Sequence, residues 1–521
     1  MKEIKKTQAV IHQSIAMLLT VAVVFLATLA VFWFFYSSEY RRKLALLKTE
    51  PYLPFFGHVL RLTKNGNSSV LPVLEKMWNN LGRDKYLVKL GPLDQVIITK
   101  TEDIELILSS NVLIEKNFVY KFLEPWFGNG LLILTGKKWR SHRKMLTPAF
   151  HFKILESYVE VFQEEAQVLA DQLLDQGDGD IEMSHITSQR SLFALCRTAI
   201  GFDMNVNKDM SDFAASTQMI KKIMNQRVFS SWKFIDPLYQ LTGEAKKLRE
   251  CLNVTHSTFF TALRAKQESM KEMMELIASG KETLESITKE DDFFTKKRMT
   301  FIELLLLSKT PEGEPLTDED IKNEVKTFMS AGHETTAMAA AFIMYCLAMN
   351  PDVQNKAFQE QLEISGGDLT KPLTYKNVQD MKYMERVVKE SLRLYPSVVA
   401  MGRKITEPTV LKDGTELPVG VSVLLVPYFT HRNPEVFKDP LKFDPDRFLE
   451  QVSLYSYYPF SAGSRNCIGQ KLAMTMLKCW MGTVIRTVEL FPPEGAHPEV
   501  IVEITINSAT GVNARARRRQ Y

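Results

Sequence analysis

A ten-residue stretch at 460–469, Phe-Ser-Ala-Gly-Ser-Arg-Asn-Cys-Ile-Gly, constrains the chain more than any other. Its cysteine, Cys467, has no other cysteine within ten residues. That isolation argues against tetrahedral zinc, which needs several Cys or His ligands at short spacing. Gly463 and Gly469 let the backbone approach a flat object closely. Arg465 is expected to set a fixed cation beside the thiol, favouring the thiolate. The following stretch, 470–487, reads as a helix whose free N–H groups point toward the sulfur and stabilise negative charge. A free buried cysteine is the plainer reading. A single stabilised thiolate with room on one side suits the axial ligand of a haem.

The composition permits an ordinary globular body. Of 521 residues, 45% are apolar and 24% charged, and the net charge of +4 gives no bulk argument for nucleic acid. Five scattered cysteines are not a disulfide framework and suit a reducing compartment. Residues 14–36 form an uncharged, mainly apolar run of the length needed to cross a bilayer. Bulky Trp33, Phe34 and Phe35 stand where a cleavage site would need small residues, so the run reads as a retained anchor. Lysines precede it and Arg41, Arg42 and Lys43 follow, which leaves orientation open. The expected organisation is an N-terminal segment (1–13), an anchor (14–36), a basic linker with a proline-containing bend (37–57) and one large domain (58–521).

Along that domain, 86–90 and 95–99 read as a hairpin and 117–129 as a loop. Trp139 and Arg143 stand four apart, on one face of a helix. Lys137, Lys138, Arg140, His142 and Lys144 are expected on another face as a basic patch. Residues 266–297 are rich in charge and read as a solvated helix and loop. Thr317-Asp318-Glu319-Asp320 looks like a capping box, opening a helix that runs to 349. That helix turns apolar on all sides from Ala337, so it belongs in the centre. Within it lies Ala331-Gly332-His333-Glu334-Thr335-Thr336, whose glycine and back-bonding threonines are expected to open the helical ladder. A further helix, 378–395, stops at Pro396 and carries Glu390 and Arg393 three apart. Strands are expected at 410–412, 415–418 and 421–426. Arg515, Arg517, Arg518 and Arg519 read as a solvated tail.

The pattern F-x-x-G-x-R-x-C-x-G, formed by Phe460, Gly463, Arg465, Cys467 and Gly469, resembles the haem-binding loop of the cytochrome P-450 superfamily. W-x-x-x-R, A-G-x-E-T, E-x-x-R and P-D-R-F precede it in that family's order. The resemblance implies a mainly α fold with small β-sheets, behind a membrane anchor of the endoplasmic reticulum with the catalytic domain cytosolic. It implies haem b, an iron protoporphyrin ligated by the Cys467 thiolate. It assigns Trp139, Arg143, Arg403 and Arg465 to the haem propionates, and Glu334 and Thr335 to proton delivery in dioxygen activation. Glu390, Arg393 and Arg447 become structural support for the cysteine loop. Implied partners are NADPH–cytochrome P-450 reductase, optionally a small b-type cytochrome, dioxygen and a small lipophilic substrate: a fatty acid, hormone, pheromone or xenobiotic. The reductase would dock on the basic patch, joined by Lys471 and Lys478.

Gly130-Leu131-Leu132 and the run from Arg143 to Phe152 resemble family four and its clan, which includes many insect members. That group usually reads E-V-D-T-F-M-F-E-G-H-D-T-T in the central helix. Here Lys326, Ser330 and Ala331 depart from it. Many family-four members bond haem covalently through the glutamate that Ala331 replaces, so a non-covalent haem is expected. Two other readings are a haem-thiolate isomerase or dehydratase acting on peroxides without dioxygen, and a non-enzymatic membrane haem carrier. The retained acid–alcohol pair speaks against the first. The single thiolate speaks against the second, because electron carriers usually fill both axial positions.

Overall fold

The structure is a computed structural model that describes residues 2–36, 38–54, 56–64, 70–203, 210–272, 275, 279, 300–310 and 313–520. Most of the charge-rich stretch expected at 266–297 lies outside the described residues. Nine helices organise the account: α1 (Lys2–Tyr36), α2 (Gly136–Leu146), α3 (Phe152–Asp175), α4 (Met183–Leu195), α5 (Ser211–Val228), α6 (Gly243–Ser269), α7 (Asp318–Met349), α8 (Lys382–Leu394) and α9 (Gln470–Thr487).

α7 is the axis of the fold. Thr317 caps it by accepting from Asp320 N at 3.1 Å, and three acids fill the first turn, where the helix dipole favours them. Its 32 residues span about 48 Å. From Ala337 to Ala348 every residue is buried, and this run packs with Met384, Val387 and Val388 of α8 and Met476, Trp480 and Val484 of α9 in the main core. Asn350-Pro351 ends it, because proline starts the next helix and cannot continue this one. No break interrupts α7 at Gly332. Thr335 and Thr336 do back-bond, to Ala331 O at 2.8 Å and Gly332 O at 2.9 Å, and the helix absorbs both.

The sheets are small. β1 (Tyr86–Leu90) and β2 (Leu93–Ile98) form the hairpin, with Leu90 opposite Leu93 across Gly91-Pro92, a tighter turn than expected. β3 is Ile181–Glu182, β4 Met401–Lys404 and β5 Ser422–Leu425. β2 pairs in parallel with β5, and β5 pairs antiparallel with β4, which carries Arg403. β6 (Val488–Phe491), β7 (Val500–Val502), β8 (Ile506–Ser508) and β9 (Asn513–Arg518) close the chain.

Three expectations need correction. The C-terminal arginines are not a solvated tail: Ala514 and Ala516 point inward from β9, which pairs with β6, and Arg519 is buried on Gln354 Oε1 at 2.8 Å. Their alternation with alanine is the period-2 signal of a strand. The 117–129 loop contains a 3₁₀ turn, Phe118–Phe122, and a short helix, Glu124–Phe127, packed by aromatic contacts. The 378–395 helix is two, Tyr375–Asp380 and α8, because Met381 leaves helical geometry at ψ 77°. The linker with its proline-containing bend packs on the domain: Leu44 and Leu47 are buried, and Gly57 bridges to Leu90.

α1 is one helix of 35 residues. Among the described residues no single helix is long and apolar enough to cross a membrane, and the apolar part identified is Ser14–Ala30.

Candidate functional site

The cysteine loop is held by its own backbone. Cys467 N donates to Phe460 O at 2.8 Å, closing the ends of the motif. Gly463 has a local reason: φ is +71°, and a Cβ there would sit 1.8 Å from Leu108 O. The loop therefore presses on the chain at Leu108, and the glycine is required by that contact rather than by a flat ligand. At Gly469 a Cβ would lie 4.0 Å from the Cys467 sulfur, on the sulfur's own side. α9 begins at Gln470 as expected.

Cys467 is exposed, whereas Cys196, Cys251, Cys346 and Cys479 are buried. Burial of the sulfur among neighbouring atoms raises the thiol pKa, and the Gly469 N–H and the Arg143 guanidinium oppose that rise. The cation beside the thiol is thus Arg143, not Arg465. Arg143 donates Nη1 to Asn466 O at 2.7 Å and Nη2 to Asn466 Oδ1 at 2.6 Å, which fixes it against the loop. Sequence spacing along the loop favoured Arg465, but its guanidinium is engaged with the Trp139 ring and Leu132 O instead.

Arg465 belongs to a different group. Its guanidinium lies 4.7 Å from the Trp139 ring and gives Nη2 to Leu132 O at 3.0 Å, while its buried Nη1 has no partner. Arg403 is 2% exposed, and its bond to Gly402 O at 3.2 Å is to its neighbour's backbone. Lys116 completes the group, brought alongside β4 by Lys404 N donating to Glu115 O at 2.9 Å. Burial pushes the Lys116 ammonium well down, and Arg403 and Arg465 push the same way. Among the described residues none of these three cations has a carboxylate partner within salt-bridge distance. Lys116 is half-buried over the Tyr120 ring, whereas Arg403 and Arg465 are buried; uncompensated buried cations cost several kcal/mol each, so the two arginines are suited to receive an anion. A dianionic flat cofactor held by an exposed cysteine answers both observations, and the residues present fit haem. Lys116 was missed in the sequence because nothing local marks it.

In α7, Ala331, Gly332 and Thr335 are half-buried, while His333, Glu334 and Thr336 are buried. A Cβ on Gly332 would meet Leu195 Cδ1 at 2.9 Å, so this glycine lets α4 pack closely. Ser397 Oγ donates to Thr335 O at 2.8 Å. Glu334 is buried and pairs with Lys221 of α5.

The supporting polar set assembles as one cluster. Glu390 accepts from Arg393 Nε at 2.7 Å and Nη2 at 2.9 Å, from Arg447 Nε at 3.0 Å and from Asp444 N at 2.8 Å. Arg393 Nη1 also donates to His431 O and Pro440 O, each at 2.7 Å. His431 Nε2 accepts from Tyr458 N at 3.0 Å, two residues before Phe460.

The basic patch is smaller than expected. Lys137, Arg140, Lys144 and Lys471 are exposed. His142 is buried and bonds Glu324 Oε1 at 2.7 Å, Lys478 is buried on Glu385 at 3.2 Å, and Lys138 is paired with Asp320 at 2.6 Å. Helical position explains it: His142 lies three residues after Trp139 and shares its inward face.

An exposed cysteine just before a helix N-terminus, with Arg143 beside it and buried arginines elsewhere in the site that lack an anion, is the chemistry of a haem-thiolate protein. The family model for Cytochrome P450 matches residues 47–510. Cytochrome P450 4d2 of Drosophila melanogaster is 36% identical over 88% of this chain and 91% of its own length. Cytochrome P450 4d1 of the same species is 32% identical over 97% of this chain and 100% of its own. Cytochrome P450 4V2 of Rattus norvegicus is 33% identical over 83% and 82%. The chain belongs to the cytochrome P-450 family and is a haem b monooxygenase with a cysteine thiolate ligand; its similar proteins are family-four members, mostly from insects. The isomerase and haem-carrier readings are not favoured.

Proposed function

We propose that the protein is a membrane-anchored monooxygenase that takes electrons from NADPH through a flavoprotein reductase and oxidises a lipophilic small molecule. The carrying observation is Cys467, exposed at the start of α9 with the Arg143 guanidinium beside it, in a chain that also buries Arg403 and Arg465 with no carboxylate partner among the described residues. When bound, the haem supplies the dioxygen and electron chemistry. Cys467 would hold it as thiolate. Arg143 and Asn466 keep the loop and its charge in place. Lys116, Arg403 and Arg465 hold the propionates, with Trp139 packed against Arg465. Thr335 offers a hydroxyl on α7 for holding or passing a proton, and Glu334 is the adjacent acid. Glu390, Arg393 and Arg447 support the loop.

Support for the anchor comes from α1. Leu18, Phe25, Leu26 and Leu29 are all exposed, an apolar surface without protein cover. The domain then packs from Leu44 onward, with the catalytic body on the cytosolic face of the endoplasmic reticulum. Lys137, Arg140, Lys144 and Lys471 form the electron donor's docking face. Product formation from a panel of fatty acids, hormones, pheromones and xenobiotics is the direct test. Oxidation is expected only with dioxygen, NADPH and reductase together, and product formed without dioxygen would overturn the reading.

Two further outcomes follow from α7. Thr335→Ala removes a hydroxyl and leaves the cation group and the sulfur untouched. Haem binding is expected to persist while NADPH consumption is diverted to hydrogen peroxide and water. A positioned proton-transfer group contributes typically ~10²–10⁴-fold, so coupling should fall by at least tenfold (a conservative estimate of order ~10). Unchanged coupling would reduce Thr335 to a helix residue. At position 331 the alanine offers no carboxylate for an ester to haem, and Glu334 is turned toward Lys221. Acidic organic solvent should therefore extract unmodified haem. Haem retained on the polypeptide, seen as a mass increase of one haem, would refute this.

A further inference from the structure

Glu324 on α7 is a carboxylate with 0% exposure, and the groups that satisfy it come from two separate parts of the chain. Its Oε1 meets His142 Nδ1 of α2 at 2.7 Å, and its Oε2 accepts from Leu131 N at 3.1 Å. His142 is its only ion-pairing partner among the described residues. One turn earlier on both helices, Lys138 pairs with Asp320 at 2.6 Å. α2 and α7 are thus tied by two rungs at i, i+4 spacing. The outer rung is open to solvent, whereas the inner one is sealed, with His142 4% exposed. Exposed pairs hold little, but a buried carboxylate fixes its partners, because leaving it unpaired is costly.

Besides α2, Glu324 holds the segment 130–132. Gly130 is pressed against α7: a Cβ there would sit 2.4 Å from Thr327 Oγ1, 2.8 Å from Asn323 O and 3.0 Å from Glu324 Oε2. Thr327 Oγ1 donates to Phe127 O at 2.7 Å and secures the same stretch from its other end. The next carbonyl along, Leu132 O, accepts from Arg465 Nη2 at 3.0 Å. Arg465 also lies 4.7 Å from the Trp139 ring, and Trp139 is buried on α2 three residues before His142. These contacts close a circuit, from His142 through Glu324, Leu131, Leu132, Arg465 and Trp139 back along α2. Its open point is Arg465 Nη1, which is buried and has no partner. Both groups that aim this guanidinium, a ring and a carbonyl, lead back to the pair of His142 with Glu324.

We propose that Glu324 and His142 are positioning residues for Arg465: the carboxylate fixes the Leu131–Leu132 segment and the helix that carries Trp139, and through both it aims the free Nη1 at a haem propionate. This rests on the assignment of Arg465 to the propionates. Glu324 and His142 act by keeping one donor oriented. Loss of such an outer partner typically costs about 10–100-fold in the affinity of the group it supports. A cation kept beside a propionate also favours the reduced, more negative state of the bound haem, so displacing it lowers the midpoint potential. Removing the Glu324 charge by itself acts in the opposite sense, because losing an anion raises the potential. The two effects separate at Gly130, where a side chain lifts the segment and changes no charge.

The test uses the full-length haem protein, and none of its readouts is turnover. In Gly130→Ala the added methyl forces 130–132 off α7; in Glu324→Leu the segment loses its acceptor. Haem transfer to excess apomyoglobin should be about tenfold faster in each. Amide hydrogen exchange around Leu131 should accelerate in both, as the segment opens locally. The midpoint potential of Gly130→Ala should fall, and a tenfold change in a one-electron equilibrium is about 59 mV. Glu324→Gln offers its amide oxygen to Leu131 N–H and its NH₂ to His142 Nδ1 in the other tautomer, so it should keep the wild-type transfer rate. A glutamine variant that loses haem as fast as the leucine variant would assign the effect to charge and overturn the proposal. Wild-type haem transfer in Gly130→Ala and Glu324→Leu would overturn it as well. If either of these does not fold, His142→Leu is read in its place with the same expectation. Arg465→Met separates the two levels: unchanged haem transfer there removes the propionate assignment and the proposal with it. Where Arg465→Met does speed transfer, Glu324→Leu should add nothing further in that background, and additive losses would show that the pair does not act through Arg465.

Discussion

Cys467→Ser abolishes the red-shifted Soret band that the reduced, carbon-monoxide-bound protein owes to thiolate ligation, and leaves the polypeptide folded. The fold survives because the loop is held by groups other than the sulfur. Cys467 N still donates to Phe460 O at 2.8 Å, and Arg143 still holds Asn466 at 2.7 and 2.6 Å. Gly463 keeps its tight contact with Leu108. A serine hydroxyl is isosteric to within a fraction of an ångström but far less acidic than a thiol, and Arg143 with the Gly469 N–H cannot make up that difference. No other sulfur can substitute. Cys346 lies on Ser391 at 3.6 Å and Cys479 on Val159 O at 3.8 Å, both sealed in the core, and burial pushes each of those thiols up to about 12. The expected loss of the band is complete, with monooxygenase activity lost alongside. A variant that keeps the band would show that another residue ligates the iron.

Much of this arrangement was legible in the residues, and the division between legible and hidden is physical. α7 and α9 could be read almost to the residue because each carries its own start and stop: the Thr317 cap and Asn350-Pro351 for one, the end of the cysteine loop for the other. Motifs that act through local spacing, such as Glu390 with Arg393, survive into the structure unchanged. What stayed hidden depends on partners far along the chain. Lys221 meets Glu334 across 113 positions, and its neighbours give no sign that it is inside. Lys116 joins Arg403 and Arg465 only because residues 115–117 lie against β4. The choice between Arg143 and Arg465 beside the thiol turned on the partners of Arg465, the Trp139 ring and Leu132 O, which proximity in sequence does not reveal. His142 was misread for a different reason. Its basic neighbours suggested a surface, whereas its position three residues after the buried Trp139 placed it inward.

Glu390→Ala is expected to be the most destabilising single change in the domain, and the reason lies in what it leaves behind. Glu390 and Arg393 are both 0% exposed. The carboxylate collects four donors, two from Arg393, one from Arg447 and the Asp444 N–H. Removing it leaves the Arg393 guanidinium buried with only carbonyl partners, at His431, Pro440 and Lys442. Breaking a buried pair in this way costs about 3–5 kcal/mol, a large share of a typical domain stability of about 5–15 kcal/mol. The damage runs to the site through named bonds. Arg393 positions His431, His431 receives Tyr458 N at 3.0 Å, and Tyr457 Oη donates to Lys389 O at 2.9 Å, so the turn segment entering Phe460 loses its footing. The measurement is the midpoint of thermal unfolding together with the fraction of haem protein showing the thiolate band, and both should fall. Arg447→Ala should cost less, because its guanidinium is partly exposed and its loss frees one bond on a carboxylate that keeps three others. The double variant Glu390→Ala, Arg393→Met separates charge from shape. With no buried ion left unpaired, its loss should be smaller than the sum of the two single losses. Strict additivity would mean that the two residues act independently, and a Glu390→Ala protein with wild-type Tm would remove the cluster from any role in holding the cysteine loop.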